Sequence, residues 1–418
     1  MTFVVSGTVK AGRVYMRING DEAFFDVPND ATDSEIRAAA NAAIGNDDDL
    51  PLTSAVGIGT GDIDLTSKDL STQANEITIT FNAEFGETFP EGVSVIIVAM
   101  SGGTGAWTVS LAELGQGDDG NELHITDFVQ GNGNDASTLD EFSSYNGEGN
   151  DFVGLWAKTV ARPFRGLGGH NEPGSGGLTN AKALGDGRRL DRTNGVVAVP
   201  GSPVPPAEIG AVAIGVMARI NNNNPAQHAV GVVLPGVLPG PKDDRWTRDY
   251  DDRNDALLSG VSPTKIVDGA VVLQNVATFY HPSNVAVTSN GYRSQVSISK
   301  LQNILWNLLA NFKREKWKGN ALVENVADVT DTVAREKAKS RIEVVADLAE
   351  LSKLFAGKAW LYNSSFTISR LQKDPTLVVI RPGLTGFNAN IPMILSGEAG
   401  IFDNVVKFDT SIAVLLQG

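Results

Sequence analysis

The one stretch of this chain whose residue types and spacing invite a chemical reading is Arg165-Gly166-Leu167-Gly168-Gly169-His170-Asn171-Glu172, continuing to Gly177. A glycine-rich loop can bring backbone N–H groups around a phosphate, and His170 with Glu172 could serve as an acid/base pair. The spacing is not that of a G-x-x-x-x-G-K-S/T loop, and it does not give a clean strand, GxGxxG and helix in the order a dinucleotide site requires. A structural loop over Gly166–Gly177 is the expectation, with a phosphate-ligand enzyme as the alternative.

The remaining candidates are sparser. His124, His228 and His281 stand apart from one another and from the carboxylate patterns of hydrolytic metal sites. Asp243-Asp244 and Asp249–Asp255 lack the alternating ligands, central glycine and terminal glutamate of a calcium loop, so they read as an exposed helix start, where acidic side chains complement the dipole. Neither G-x-S-x-G nor H-E-x-x-H occurs, and the absence of Cys removes disulfides, thiolate zinc sites and thiol catalysis. No catalytic, cofactor-binding or metal-ligating residue is assigned, and the chain is not expected to be an enzyme. Lys313, Arg314, Lys316 and Lys318 beside Trp317 could hold nucleic acid by charge and stacking, face an acidic protein surface, or form the solvated end of a helix.

The elements that must position these residues fall along 418 residues, a length that suits two or three domains. The net charge of −15 is uneven: Met1–Leu155 carries 5 basic and 26 acidic residues, Trp156–Gly418 29 and 23. An acidic whole argues against coating nucleic acid, which needs basic residues to displace counterions. The longest apolar runs, such as Ile209–Ala218, fall far short of the roughly 20 residues of a spanning helix, so no membrane insertion is expected.

The first hundred residues read as a small α+β unit. Phe3–Val5, Arg13–Ile18 and Ala23–Val27 are short strands, with Asn19-Gly20 as a hairpin turn. Thr32-Asp33-Ser34-Glu35 fits a capping box opening a helix through Ile36, Ala40 and Ile44. Glu76–Asn82 and Val93–Met100 supply further strands, and the unit ends at Ser101–Gly105. Leu111/Leu114 and Leu139/Phe142 suggest short helices, Trp156–Phe164 and Gly195–Pro200 strands, and Ala207–Ile220 a helix apolar almost all round and so buried by its neighbours. Val230–Leu234 reads as a buried strand, Asp251–Ser259 as a helix, and Thr264–Val267 with Ala270–Tyr280 as a hairpin across Asp268-Gly269. Ser294–Phe312 is an amphipathic helix with the stripe Leu301, Ile304, Leu305, Leu308, Leu309 and Phe312. A second long helix from Asp331 to Phe355 carries Val333, Ile342, Val345, Leu348 and Leu351; strands at Ser365–Leu371 and Thr376–Arg381 follow.

The chain's end alternates strictly. One face reads Val406, Phe408, Thr410, Ile412, Val414 and Leu416, the other Lys407, Asp409, Ser411, Ala413 and Leu415. This period of two is that of a half-buried strand, which must pair either within its own chain or with a neighbour by strand addition.

Taken in order, these landmarks resemble the tail sheath proteins of contractile-tailed bacteriophages, especially the Mu-like group. Gly12–Val27, the helix Ser34–Ile44 and Leu50-Pro51-Leu52-Thr53 look like the domain that family inserts early in its core, and Val95–Gly105 ("VIIVAMSGGTG") resembles the return to it. Val230–Leu238 ("VGVVLPGVL") resembles the family's strand and proline turn. The most specific likeness is Tyr250–Tyr280, "YDDRNDALLSGVSPTKIVDGAVVLQNVATFY": an acidic-Arg-Asn helix, a Gly-Val-Ser turn, then a hairpin. Sheath chains of this group normally begin with an extended arm and an α/β segment, whereas this sequence opens in the inserted domain, so only the C-terminal arm is carried over, onto Asn404–Leu416.

The resemblance implies a mixed α/β (α+β) multi-domain tail-sheath fold: a small acidic protruding domain at 1–105, a mixed-sheet core at 106–403, and a β-strand arm at 404–418 for inter-subunit pairing. It implies a structural subunit that polymerises in stacked, hexameric rings around a tail tube and contracts during genome delivery. Its partners would be itself, the tail tube protein, and baseplate and tail terminator proteins, with no cofactor and no direct nucleic acid, in the virion. Under this reading Lys313, Arg314, Lys316 and Lys318 face the tube or a neighbouring subunit. A phage-derived bacterial injection device, or a phage-surface glycan-binding or glycan-active protein with paired carboxylates in a pocket, are the alternatives.

Overall fold

The computed structural model describes residues 1–84, 86–105, 111, 125–131, 134–147, 163–282, 292–380 and 387–396. The chain forms two compact units, Met1–Asn320 and Ala321–Gly418.

The first unit opens with strands β1 (Thr2–Val5), β2 (Gly12–Ile18) and β3 (Asp21–Val27), helix α1 (Asp33–Gly45), and strands β4 (Leu52–Val56), β5 (Ile63–Ser67), β6 (Ile79–Phe81) and β7 (Val93–Ile96). As the sequence predicts, β2 and β3 form a hairpin; Asn19 (φ 56°) and Gly20 (φ 94°) take the left-handed conformation that a two-residue turn demands. The capping box is present as well: Thr32 Oγ1 accepts from Glu35 N, and the Glu35 carboxylate accepts from Thr32 N at 2.9 Å. It aligns α1 so that Ile36, Ala40 and Ile44 pack with Val14, Met16 and Phe25. The β4–β5 hairpin is not foreseen by the sequence reading, and of Glu76–Asn82 only Ile79–Phe81 joins a ladder, on β2.

The same unit continues with β8 (Asp127–Val129), α2 (Ala136–Asn146), β9 (Arg165–His170), α3 (Gly174–Gly187), β10 (Asn194–Ala198), α4 (Pro206–Asn223), α5 (Tyr250–Leu258), β11 (Val261–Val267), β12 (Ala270–Leu273) and α6 (Gln295–Phe312). These strands form one sheet in the order β12-β11-β10-β9-β8, parallel from β8 to β11, with β12 antiparallel at one edge. Both faces are covered. Leu167 and Val197 pack with Ile209, Ala213 and Met217 of α4, while Val196 and Ala198, pointing the other way, pack with Leu139, Ala181 and Ala256 of α2, α3 and α5.

The largest correction falls on Gly166–Gly177. The expected structural loop is mostly regular structure: Arg165–His170 is a fully buried strand inside the sheet, and α3 starts at Gly174. Its glycines serve close packing, since a Cβ on Gly169 would lie 2.1 Å from Pro206 O and one on Gly168 2.4 Å from Gln130 Oε1. Val230–Leu234 is likewise not a buried strand; Gly231 turns the backbone (φ 80°), Val230 and Val233 are exposed, and the segment only bonds along β12, as in Leu234 N to Val271 O at 2.9 Å. The hairpin across Asp268-Gly269 forms as expected, but its second strand stops at Leu273.

Helix α6 also differs from its amphipathic reading. Its deeply buried residues include Gln295, Ser297, Ser299, Lys300 and Gln302, whereas Leu301, Leu305, Leu308 and Leu309 are only half-buried. The reason is that its glutamine side chains reach carbonyls where the parallel strands begin, adding second hydrogen bonds to Thr126 O and Thr193 O, which already accept from Arg165 N and Gly166 N within the sheet. Gln302 Nε2 donates to Thr126 O (2.7 Å) and Pro163 O (3.0 Å), and Gln295 Nε2 to Thr193 O (3.2 Å) and Gly166 O (3.4 Å).

In the second unit, β13 (Ala321–Leu322) pairs in parallel with β14 (Ala338–Lys339), with α7 (Thr332–Glu336) between them; α8 (Arg341–Gly357), α9 (Ser364–Lys373), β15 (Val378–Ile380) and β16 (Phe387–Ala389) follow. The expected single helix from Asp331 to Phe355 is therefore broken. Ser340 and Glu343 form a capping box that starts α8 afresh, leaving Val333 and Ile342 exposed while Val345, Leu348 and Leu351 are buried. Ser365–Leu371 is helix rather than strand: Asn363 caps it, and Thr367 and Leu371, one turn apart, form its buried face.

Candidate functional site

The parallel strands end at a cleft of about 870 Å³ whose opposite wall comes from the amino-terminal lobe. The lobes are tied across it by Thr78 Oγ1 donating to Pro203 O (2.7 Å) and Gln73 Nε2 to Gly131 O (3.0 Å). From the sheet side come His170 at the end of β9, Glu172 before α3, and Asp135, the N-cap of α2; Glu76 and Ile77–Phe81 face them. Such a position, at the carboxyl ends of parallel strands, is where open α/β sheets hold ligands.

The sequence-predicted pair His170 and Glu172 reaches this cleft but is not wired as acid and base. His170, 6 % exposed, holds Nε2 against the carbonyl of Gly177 at 3.0 Å, so that nitrogen donates. Burial drives its pKa down, with the Gly177 hydrogen bond and the Glu172 charge opposing, which favours the neutral ring. Glu172 instead accepts from Asn180 Nδ2 at 2.6 Å. Arg165, in the same motif, is a packing residue: it is buried, ion-paired with Asp127 across β8–β9, and donates to Asn221 Oδ1 at 2.5 Å.

The carboxylates of the cleft influence one another. Glu76 is an exposed residue of the cleft wall, and its partial desolvation there, followed by the charges of Glu172 and Asp135, raises its pKa. A raised folded pKa means the folded state binds the proton more tightly than the unfolded chain, whose value is 4.5. Stability is thus lost as pH climbs from the unfolded value through the folded one. Glu76→Gln is therefore expected to raise the thermal midpoint at pH 7 and to leave it nearly unchanged at pH 4; a gain of equal size at both pH values would show that ionisation of Glu76 is not the cause. Neither Glu76 nor Asp135 was marked by the sequence reading: Asp135 carries a local signal in its helix-capping position, but Glu76 arrives from a different lobe.

Elsewhere the predicted residues scatter. Lys313, Arg314, Lys316 and Lys318 are exposed just after α6, where Trp317 meets Phe312 with ring centroids 5.2 Å apart and Lys318 lies 3.6 Å from Glu315. His281, which stands apart in sequence from any carboxylate pattern of a metal site, meets Asp186 at 2.9 Å through the far end of α3, and its Nδ1 faces Phe279 O at 2.7 Å. Asp249 caps α5 as the helix-start reading expects. Val406, Phe408, Thr410, Ile412, Val414 and Leu416, along with His124, lie outside the described residues. Among the described residues no group of His, Asp and Glu could hold a metal ion, and no helix is long and apolar enough to cross a membrane.

No protein-family model matches the chain, and no curated protein sequence matches it. Solved structures similar to it include a sheath tail protein from Desulfitobacterium hafniense (10% identity, covering 87% of this chain and 72% of that one, TM-score 0.39). A sheath tail protein from Listeria innocua is similar at 11% identity, over 84% and 68% of the two chains, with a TM-score of 0.38. A chain of the six-fold symmetrised anti-feeding prophage baseplate is similar at 12% identity, over 60% and 62%, with a TM-score of 0.36.

Proposed function

We propose that this chain is a structural subunit of a contractile tail sheath of the Mu-like phage type. It polymerises with itself in stacked rings around a tail tube, and contraction drives the tube through a host envelope. The observation that carries the reading is the stretch Tyr250–Tyr280, whose resemblance to sheath proteins is the most specific in the sequence. It folds as α5, a tight turn at Gly260 (φ 79°) and the β11–β12 hairpin, the order the resemblance implies. The site chemistry agrees with a mechanical role, since His170 and Glu172 are each engaged by structural hydrogen bonds. In this proposal the small acidic domain 1–105 projects outward, the core 106–403 builds the wall, and the arm 404–418 adds a strand to a neighbour, while Lys313, Arg314, Lys316 and Lys318 form electrostatic contacts that exchange during contraction. Such a division suits contraction physically, because main-chain pairing tolerates subunit tilt whereas exposed charge contacts are weak enough to swap.

One observation favours a second reading, a glycan-binding or glycan-active surface protein: Glu76, Glu172 and Asp135 share one cleft. Negative-stain microscopy of the purified full chain separates the two. Tubes or stacked rings with a helical repeat are expected of a sheath; monodisperse particles at every protein concentration and salt condition tried would overturn the sheath reading.

A further inference from the structure

Strand β7 pairs with β1 on one side and with no other strand among the described residues. Beyond Ile96 the chain continues to Thr104 without a turn or bend, and Ile97, Val98, Ala99 and Met100 have no hydrogen-bond partner among the described residues. This ribbon is not a loose end. At its start β7 is held by β1; at its finish Gly103 exchanges bonds with the Asn75 side chain (2.9 and 3.1 Å), and Thr72 N donates to Gly105 O at 2.7 Å. Val95, Ile97, Ala99 and Met100 line the cleft, while Ile96 and Val98 are 58% and 70% exposed; Ile97 is itself 41% exposed, so the ribbon is accessible along its length.

Natural edge strands are protected from pairing by charge, proline, a bulge or a cover. Val93–Met100 contains no charged residue and no proline, so its sequence offers none of the usual chemical protection. The wall facing it is charged, and of one sign. Glu76, Asp135, Glu172 and Asp244 line the cleft, and no Lys or Arg does. An apolar ribbon alone would accept any strand; the carboxylates select among strands, because a cationic side chain entering beside the ribbon meets uncompensated negative charge and an anionic one is repelled.

We infer that the ribbon Ile97–Met100 and the acidic wall opposite form a docking groove for an extended, cationic segment of another protein chain, bound by strand addition with its basic side chains turned toward Glu76 and Glu172. The ladder supplies affinity independent of sequence, and the carboxylates supply the choice of partner. The inference does not rest on sheath assembly, and its test is read without reference to polymers.

The test measures fluorescence anisotropy of labelled, end-blocked peptides on the full chain: an alternating Val/Lys decapeptide, its Val/Glu counterpart, and a peptide of this chain's own Asn404–Gly418. The Val/Lys peptide is expected to bind at least about tenfold tighter than either other peptide, and less tightly as salt is raised. The double variant Glu76→Gln/Glu172→Gln should weaken it about tenfold, and so should at least one of Ile97→Pro and Val98→Pro, because adjacent N–H groups on a strand point to opposite sides. Circular dichroism of each variant checks that the fold is intact, and the carboxamide variant, which leaves the ribbon untouched, keeps the test decisive if a proline variant unfolds. Equal binding of the Val/Glu peptide, or indifference to both proline variants, overturns the inference. Tighter binding of the Asn404–Gly418 peptide overturns the cationic partner in favour of the chain's own arm, and full competition by free spermidine overturns the ladder in favour of a simple cation site.

Discussion

Gly169→Ala is expected to disrupt the seating of α4 on the central sheet and to lower the thermal midpoint by about 5 °C, or to leave the protein in inclusion bodies. The added Cβ would sit 2.1 Å from Pro206 O and 2.7 Å from Ile209 Cβ, and the first of these is backbone that cannot rotate away. Nor can the helix retreat freely. On its own side Gly210 approaches β9 so closely that a Cβ there would come within 2.8 Å of Leu167 O and 2.9 Å of Gly168 Cα. Strand and helix are thus interlocked glycine against glycine, and relieving one clash moves the whole face that buries Leu167, Val197 and Met217. Overpacking of this kind costs on the order of 3 kcal/mol where backbone is the obstacle. Gly176→Ala is the matched control: it lies in α3 with nothing within 4 Å of the added atom, and helix propensity predicts a change within about 1 kcal/mol in the stabilising direction. Similar midpoints for the two variants would show that close approach is not what the glycines of this motif provide.

Deletion of Asn404–Gly418 is expected to leave a folded monomer that forms no pelletable assemblies. The proposal gives Val406–Leu416 the task of pairing with a neighbour, with alternate side chains Val406, Phe408, Thr410, Ile412, Val414 and Leu416 entering that neighbour's surface. About five ladder bonds at roughly 1 kcal/mol each amount to about 5 kcal/mol, or between 10³ and 10⁴ in the association constant. Sedimentation of the 418-residue chain and the shortened chain at matched concentration measures this, with the thermal midpoint confirming that the remainder is folded. Polymers that persist without these residues would remove strand donation from the account.

What could be read from the residues alone depended on whether the signal was local. The capping box at Thr32, the turn at Asn19-Gly20 and the acidic start of α5 are local, and each element stands where it was expected. At helix α8 two local signals compete: an apolar spacing runs from Asp331 to Phe355, but Ser340-x-x-Glu343 is itself a start signal and begins the helix afresh. At β9 the failure was one of context. Gly168-Gly169 resembles punctuation in a sequence, but a strand buried on both faces can be built from glycine where a helix must lie almost on its backbone, and only the tertiary partner, Pro206 to Gly210, makes that visible. The cleft was half legible for the same reason: His170 and Glu172 belong to a motif, whereas Glu76 meets them from 94 positions or more away in the chain, and no spacing rule covers that distance.

Helix α6 touches the sheet in a way that bears on force. Through Gln295 and Gln302 it grips carbonyls at Thr126, Pro163, Gly166 and Thr193, the places where three neighbouring parallel strands begin. A pull arriving along the chain from residues 313–320 therefore does not peel one strand from its neighbour bond by bond. It is shared among β8, β9 and β10 at once, and those hydrogen bonds must yield together. Unzipping is the weak direction of a ladder, and simultaneous loading is the strong one. A single helix with two buried glutamines thus converts a sheet that could be unravelled from one edge into one that resists as a block.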